Sequence, residues 1–297
     1  MSQQVKYAVI DGANEEGLLN FLAEYNPPHS CLYAEPLQPE LIALAPYLLE
    51  VTEEVDAWLA TKTTPWGIYL YAAVMMKDLR QHLRKFLQVQ IPGEEKPVFF
   101  RFYDPRTVWD FFSVLTDWQI HSVMGPIDKI ETVYEGTERE AGFEDVRKQF
   151  PFAAQSIRKV FALDQTQLDA LNKQAEARYI AALTGATKVR YMPGIASVSS
   201  SAAYGLLDEE RRRLTALREQ LDASIGITVS QCFAFCKSKG IEDDRSIRGM
   251  LTLMMDKKVY TVDAMPEGWL TILNNSDVPG HYRAETLLKQ ELGHIPR

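Results

Sequence analysis

Three ionic side chains, Arg101, Asp104 and Arg106, are crowded into the stretch 97–108, PVFFRFYDPRTV, with Tyr103 among them. Removing such charges from water is expensive unless they pair or meet a ligand. Two chemistries suit them. An Arg–carboxylate pair would pin a strand to the start of a helix, with Asp104 also accepting a backbone N–H as N-cap. Alternatively, an exposed ridge at a strand end would face a partner or an anionic small molecule, where open α/β sheets bind their ligands. The residue types leave both open.

Elsewhere the residues that could do chemistry fall into bland patterns. Cys232 and Cys236 lie four apart on one helical face, a spacing that could begin a metal site. No second Cys or His pair completes it, so they read as small buried hydrophobes. The histidines, at 29, 82, 121, 281 and 294, are scattered and accompany no obvious nucleophile. Glu53-Glu54 and Asp243-Asp244 sit at helix starts, where carboxylates favour the helix dipole. Lys77, Arg80, Arg84 and Lys85 form a basic stripe, read as a solvated helix face or a docking surface for an acidic partner. The first turn, Asp11-Gly12-Ala13-Asn14, lacks the G-x-G-x-x-G spacing of a dinucleotide site. The chain carries no Gly-rich phosphate loop, G-x-S-x-G elbow or H-E-x-x-H pair. The expectation is no catalytic residue, no cofactor and no metal.

The elements that position the 97–108 stretch follow from apolar periodicity. Residues 5–10, 31–34, 47–51, 66–71 and 127–134 read as strands, the last of these closing the pattern. Helices are expected from Ala13 or Asn14, over 39–45, from an N-cap at Thr52, along the basic stripe, and after Asp104-Pro105. Strands alternating with helices predict an α/β lobe, a mixed and partly parallel sheet with flanking helices, over residues 1–135. A charged linker, EGTEREAGFE at 135–144, leads into an all-helical lobe over 136–297. There, Asp164-Gln165-Thr166-Gln167 resembles a capping box, Gly185 suits a helix C′ position, and 188–204 reads as a polar loop. Helices are expected from Asp208, over 229–238, over 244–255 and over 282–292.

Composition bounds the partners. A formal net charge of −8 argues against a nucleic-acid grip built on bulk positive field. The longest apolar runs fall short of the roughly 20 residues that span a bilayer, so no membrane insertion is expected. The N-terminal residues show no basic-then-apolar leader, and three cysteines in so long a chain fit a reducing compartment. The expected location is the cytoplasm.

The string VFFRFYDPRTVWDFF at 98–112 closely resembles the signature of the effector adaptor (chaperone) family of bacterial type VI secretion, the domain of unknown function 4123 family. YAVIDGA at 7–13, LYAEPLQPE at 32–40, APYLLEV at 45–51, WGIYLYA at 66–72 and GPI at 125–127 agree in order, so the resemblance covers about residues 5 to 135. It implies a non-enzymatic cytoplasmic protein that binds a cognate effector toxin and helps load it onto the VgrG spike. In that setting Arg101, Tyr103, Asp104 and Arg106 are either a partner contact or a structural signature, and the helical lobe selects the effector. The rival expectations are an immunity protein that neutralises a toxin, and an enzyme acting on an anionic small molecule at the Arg101–Arg106 strand end.

Overall fold

Residues 5–11, VKYAVID, form the central strand because its apolar side chains alternate between two cores, while Lys6 and Asp11 find ionic partners. Tyr7 and Val9 enter one core, and Ala8 and Ile10 enter the core on the opposite face, which is the period-2 alternation of a strand covered on both sides. The computed structural model describes residues 4–34, 36–151, 160–191 and 208–296. Its strands are β1 (Val5–Asp11), β2 (His29–Cys31), β3 (Pro46–Glu50), β4 (Gly67–Ala72), β5 (Gln88–Gln90), β6 (Val98–Phe99), β7 (Ile127–Tyr134), β8 (Thr137–Ala141) and β9 (Phe161–Ala162). The helices of the first unit are α1 (Leu18–Tyr25), α2 (Pro39–Ile42), α3 (Glu53–Ala60), α4 (Met76–Leu83), α5 (Val108–Val114), α6 (Asp117–Met124) and α7 (Glu144–Arg147).

Six strands form one sheet in the order β2-β3-β1-β4-β7-β8, and every neighbouring pair is antiparallel. This corrects the partly parallel sheet expected from the strand–helix alternation. Both β3 and β4 run antiparallel to β1, so the α3 connection does join two strands of the same direction. They are not neighbours, because β1 lies between them. A small second sheet, β6-β5-β9, holds the one parallel pair among the described strands, β5 with β9. One face of the large sheet packs α1 and α3 through Leu18, Phe21, Val55 and Leu59. The other packs α4, α5 and α6 through Leu79, Leu83, Phe111, Phe112 and Val123.

The Thr52 cap is present, its hydroxyl accepting the Val55 N–H at 3.4 Å. Two other expectations change. The helix expected from Ala13 or Asn14 starts at Leu18, because residues 11–17 turn around the Asp11 carboxylate. The charged stretch after Tyr134 is not a linker. Glu135 (φ 49°) and Gly136 (φ 72°) make a two-residue hairpin turn, and β8 pairs back on β7 from Thr137 to Ala141. This edge strand is nearly all exposed and charged, which blunts it against further pairing and erases the apolar period that would have marked it.

His82, at the end of α4, is half-buried in this packing. Its Nε2 lies 2.8 Å from the Val123 carbonyl, and Gly125 (φ 44°) sits so close that a Cβ there would fall 2.2 Å from the ring. Burial pulls its pKa from 6.5 down to about 4. A base depressed in the folded state contributes stability above its unfolded pKa and loses it as the pH falls toward the folded value. Stability should therefore decline between pH 6.5 and 4 by up to about 1.4 kcal/mol per pH unit from this residue. Urea unfolding at several pH values should show that slope, and His82→Phe should flatten it.

The chain divides into compact units at Gln174/Ala175, so β8, β9 and the start of the following helix group with the first unit rather than beyond a boundary at 135. Helix α8 (Gln165–Tyr191) begins with the expected capping box, Asp164 Oδ1 accepting the Gln167 N–H and Gln167 Oε1 accepting the Asp164 N–H. It runs through Gly185 without ending. Gly185 is thus a helix-interior residue and not a C′. Of the expected loop 188–204, residues 188–191 are helical and the rest lies outside the described residues.

The second unit contains α9 (Asp208–Ser238), α10 (Asp244–Asp256), α11 (Glu267–Leu273) and α12 (Gly280–Leu292). α9 is one continuous helix where two were expected, and α11 was not expected at all. Its core is built from Val229, Cys232 and Cys236 of α9, Met250 and Met254 of α10, Trp269 and Leu273 of α11, and Leu287 and Leu288 of α12. Cys232 and Cys236 are buried within it, and their mutual hydrogen bond and burial push the Cys232 thiol well above its ordinary range.

Candidate functional site

The RFYDPR stretch folds against the end of the central strand. β1 closes on Asp11, which is 1% exposed. Its Oδ1 accepts the Ala13 N–H at 3.1 Å, and its Oδ2 accepts from Asn14 Nδ2 at 3.0 Å and from Arg101 Nη1 at 3.0 Å. Two of the three donors come from the turn that follows β1, and the third comes from ninety residues away. Burial nevertheless outweighs the attraction of Arg101 and raises the Asp11 pKa above its ordinary 3.8.

Three residues after Arg101, Asp104 makes a second ion pair. Its carboxylate accepts from Arg106 Nε at 2.9 Å and Nη2 at 2.6 Å, and also from the Arg106 backbone N–H at 3.0 Å. The hydrogen bond to Asp104 holds Arg106 above its ordinary pKa. Asp104 is therefore not the N-cap of the next helix. Its carboxylate closes a turn over Pro105 while its carbonyl accepts the Thr107 and Val108 N–H groups, and α5 begins at Val108. Of the β-prone first half of the 97–108 stretch, only Val98 and Phe99 form a strand, β6.

Tyr103 points inward and is fully buried, its ring edge-on to Phe102 at 5.3 Å. Burial, with the Asp11 charge nearby, raises its phenol far above the ordinary value. Tyr33 borders the same cluster, packed edge-on to Phe99 at 5.5 Å, and the 31–33 backbone is held by Arg80, which donates to the Cys31 and Tyr33 carbonyls. Arg80 is thus a half-buried structural member of the basic stripe, whereas Lys77, Arg84 and Lys85 are exposed.

The four signature residues are thus brought together, but as two carboxylate–guanidinium pairs and a buried ring. Each guanidinium is held by a carboxylate of its own chain, with the Arg101 and Arg106 side chains 45% and 44% exposed. Asp11, Asn14 and Tyr33 belong to the cluster and were not singled out in the sequence. The available signal for Asp11 was an acidic residue terminating an otherwise apolar strand, where a buried carboxylate must find a cation.

The Asp104 pair sets a modest stability effect. Asp104→Ala removes a charge-assisted fork and leaves a half-exposed guanidinium that water can solvate. The expected loss is about 2 kcal/mol, read from the urea midpoint at constant m-value.

No curated protein and no solved structure matches the chain. Residues 6–122, which run from β1 to α6 and include Asp11, Tyr33 and the whole Arg101–Arg106 turn, match the family described as a domain of unknown function, DUF4123.

Proposed function

We propose that this protein is an adaptor, or chaperone, that binds a cognate type VI secretion effector toxin and helps load it onto the VgrG spike in the cytoplasm, without enzymatic activity of its own. The observation that carries the reading is the DUF4123 match over residues 6–122, with the RFYDPR signature inside it. The geometry of the signature supports a scaffold role for these residues. Its guanidinium groups are taken by Asp11 and Asp104, which disfavours an anionic small molecule at the strand end. In this reading the first unit is the common framework and the helical unit selects the effector.

The test is a deletion strain in cells that express the secretion system. The adaptor reading expects loss of delivery of one toxin with normal self-protection, and delivery restored when this chain is expressed again. It also expects that the tagged chain captures that toxin together with VgrG. Loss of self-protection with intact delivery would instead identify an immunity protein and overturn the reading.

A further inference from the structure

The helical unit carries an open cleft of about 240 Å³ between α8, the end of α9 and the start of α10. One wall is aromatic: the Tyr179 and Phe233 rings meet with centroids 5.6 Å apart at 53°. Ala175 and Ile247 add apolar lining, and the rim carries Glu176, Glu242 and Asp244. Two of those carboxylates already hold a cation of this chain. Lys237 pairs with Glu176, and Arg248 pairs with Asp244, which also accepts the Tyr179 hydroxyl at 2.7 Å. Glu242 is exposed and makes no ion pair or hydrogen bond with a described residue.

We infer that this cleft receives an arginine side chain of a protein partner, with its guanidinium over the Tyr179 and Phe233 rings and paired to Glu242. Charge complementarity selects a cation: the one uncompensated group at the rim is a carboxylate, in a chain of net charge −8. The aromatic wall selects arginine over lysine, because a planar, weakly hydrated guanidinium stacks on rings and bridges a carboxylate with two parallel N–H groups. The methylene stem lies along Ala175 and Ile247. A side chain within a polypeptide fits better than the free amino acid, whose own α-carboxylate would meet the same acidic rim. The inference rests on the reading that this unit binds a protein partner, and it names the chemistry of that contact.

The test uses the full chain with labelled isoleucine δ1 methyls and the probe peptide acetyl-Gly-Arg-Gly-amide. The Ile247 methyl should shift saturably. The citrulline peptide, isosteric but neutral, should bind about tenfold more weakly, and Glu242→Gln should weaken the arginine peptide by a similar factor. Glu242 is exposed, so this variant should melt like the wild type. Free arginine should bind more weakly than the peptide. The inference is overturned if Ile247 does not respond, if citrulline or Glu242→Gln makes no difference, or if free arginine binds more tightly. The two readings fail separately. Capture of toxin by wild type and Glu242→Gln alike would remove the cleft from the contact and leave the adaptor reading standing. Absence of any toxin or VgrG partner would sink the adaptor reading while the peptide titration still decides the chemistry of the cleft.

Discussion

Arg101→Ala should lower the unfolding free energy of the first unit by about 3 kcal/mol, toward the lower end of the cost of orphaning a buried charge because Arg101 is half exposed. The asymmetry of the pair sets the size. Asp11 is buried at the end of the central strand, and without Arg101 its carboxylate keeps the hydrogen bonds from the Ala13 N–H and the Asn14 amide, with Arg106, already paired to Asp104, the nearby cation that remains. Asp11→Asn should cost less, because Arg101 can turn into water. The double variant should recover part of the Arg101→Ala loss, which a double-mutant cycle in urea would read directly. A pH signature accompanies this. Asp11 has its folded pKa raised above 3.8, so the stability it contributes is fully present below the unfolded value and is lost as the pH rises through the folded one. Relative to Asp11→Asn, the wild type should therefore weaken with rising pH in that window. Arg101→Ala should push the window higher, as a carboxyl-carbon NMR titration of Asp11 would show. An unshifted Asp11 in Arg101→Ala would mean that the 3.0 Å contact is not an electrostatic anchor.

The second large effect is expected at Gly67. It opens β4 opposite Ile10 with φ +153°, and a Cβ built there would lie 1.8 Å from the Val9 carbonyl oxygen and 2.9 Å from the Val9 carbonyl carbon. Both obstacles are backbone of the central strand, so no side chain can swing aside. Gly67→Ala should cost about 4 kcal/mol or more, a large share of the stability of an ordinary domain. Loss of soluble yield and of the cooperative thermal transition would report it. Gly185→Ala is the control. Gly185 lies inside α8 with open space where the Cβ would go, so this change should stabilise by about 0.5–1 kcal/mol. Destabilisation at Gly185 would restore the helix end that its sequence context suggested.

Much of the local structure was legible because local chemistry decides it. Thr52 and Asp164 announce helix starts by offering an oxygen to orphaned N–H groups, and both do so in the fold. The Ile127–Tyr134 strand was readable to the residue from its apolar spacing and the Gly125-Pro126 turn before it. Asp104 misled because two local uses of a carboxylate compete in the same string. The Arg106 fork, two residues on, takes the side chain that would otherwise have capped the helix. β8 was invisible because an edge strand is free to be polar on both faces.

By itself, the sequence determined the strands near 5–10, 47–51, 66–71 and 127–134, the helical tail, the Thr52 and Asp164 caps and the RFYDPR signature, all of which depend on contacts within a few residues. Only the tertiary structure decided the direction of the sheet and the partner of Arg101. Side chains report burial, and a strand covered on both faces is apolar throughout whether its neighbours run parallel or antiparallel, so β1 could insert between β3 and β4 without leaving a trace in the pattern. The Arg101–Asp11 pair spans ninety residues, and no local spacing encodes which carboxylate the chain's own folding brings to a given arginine.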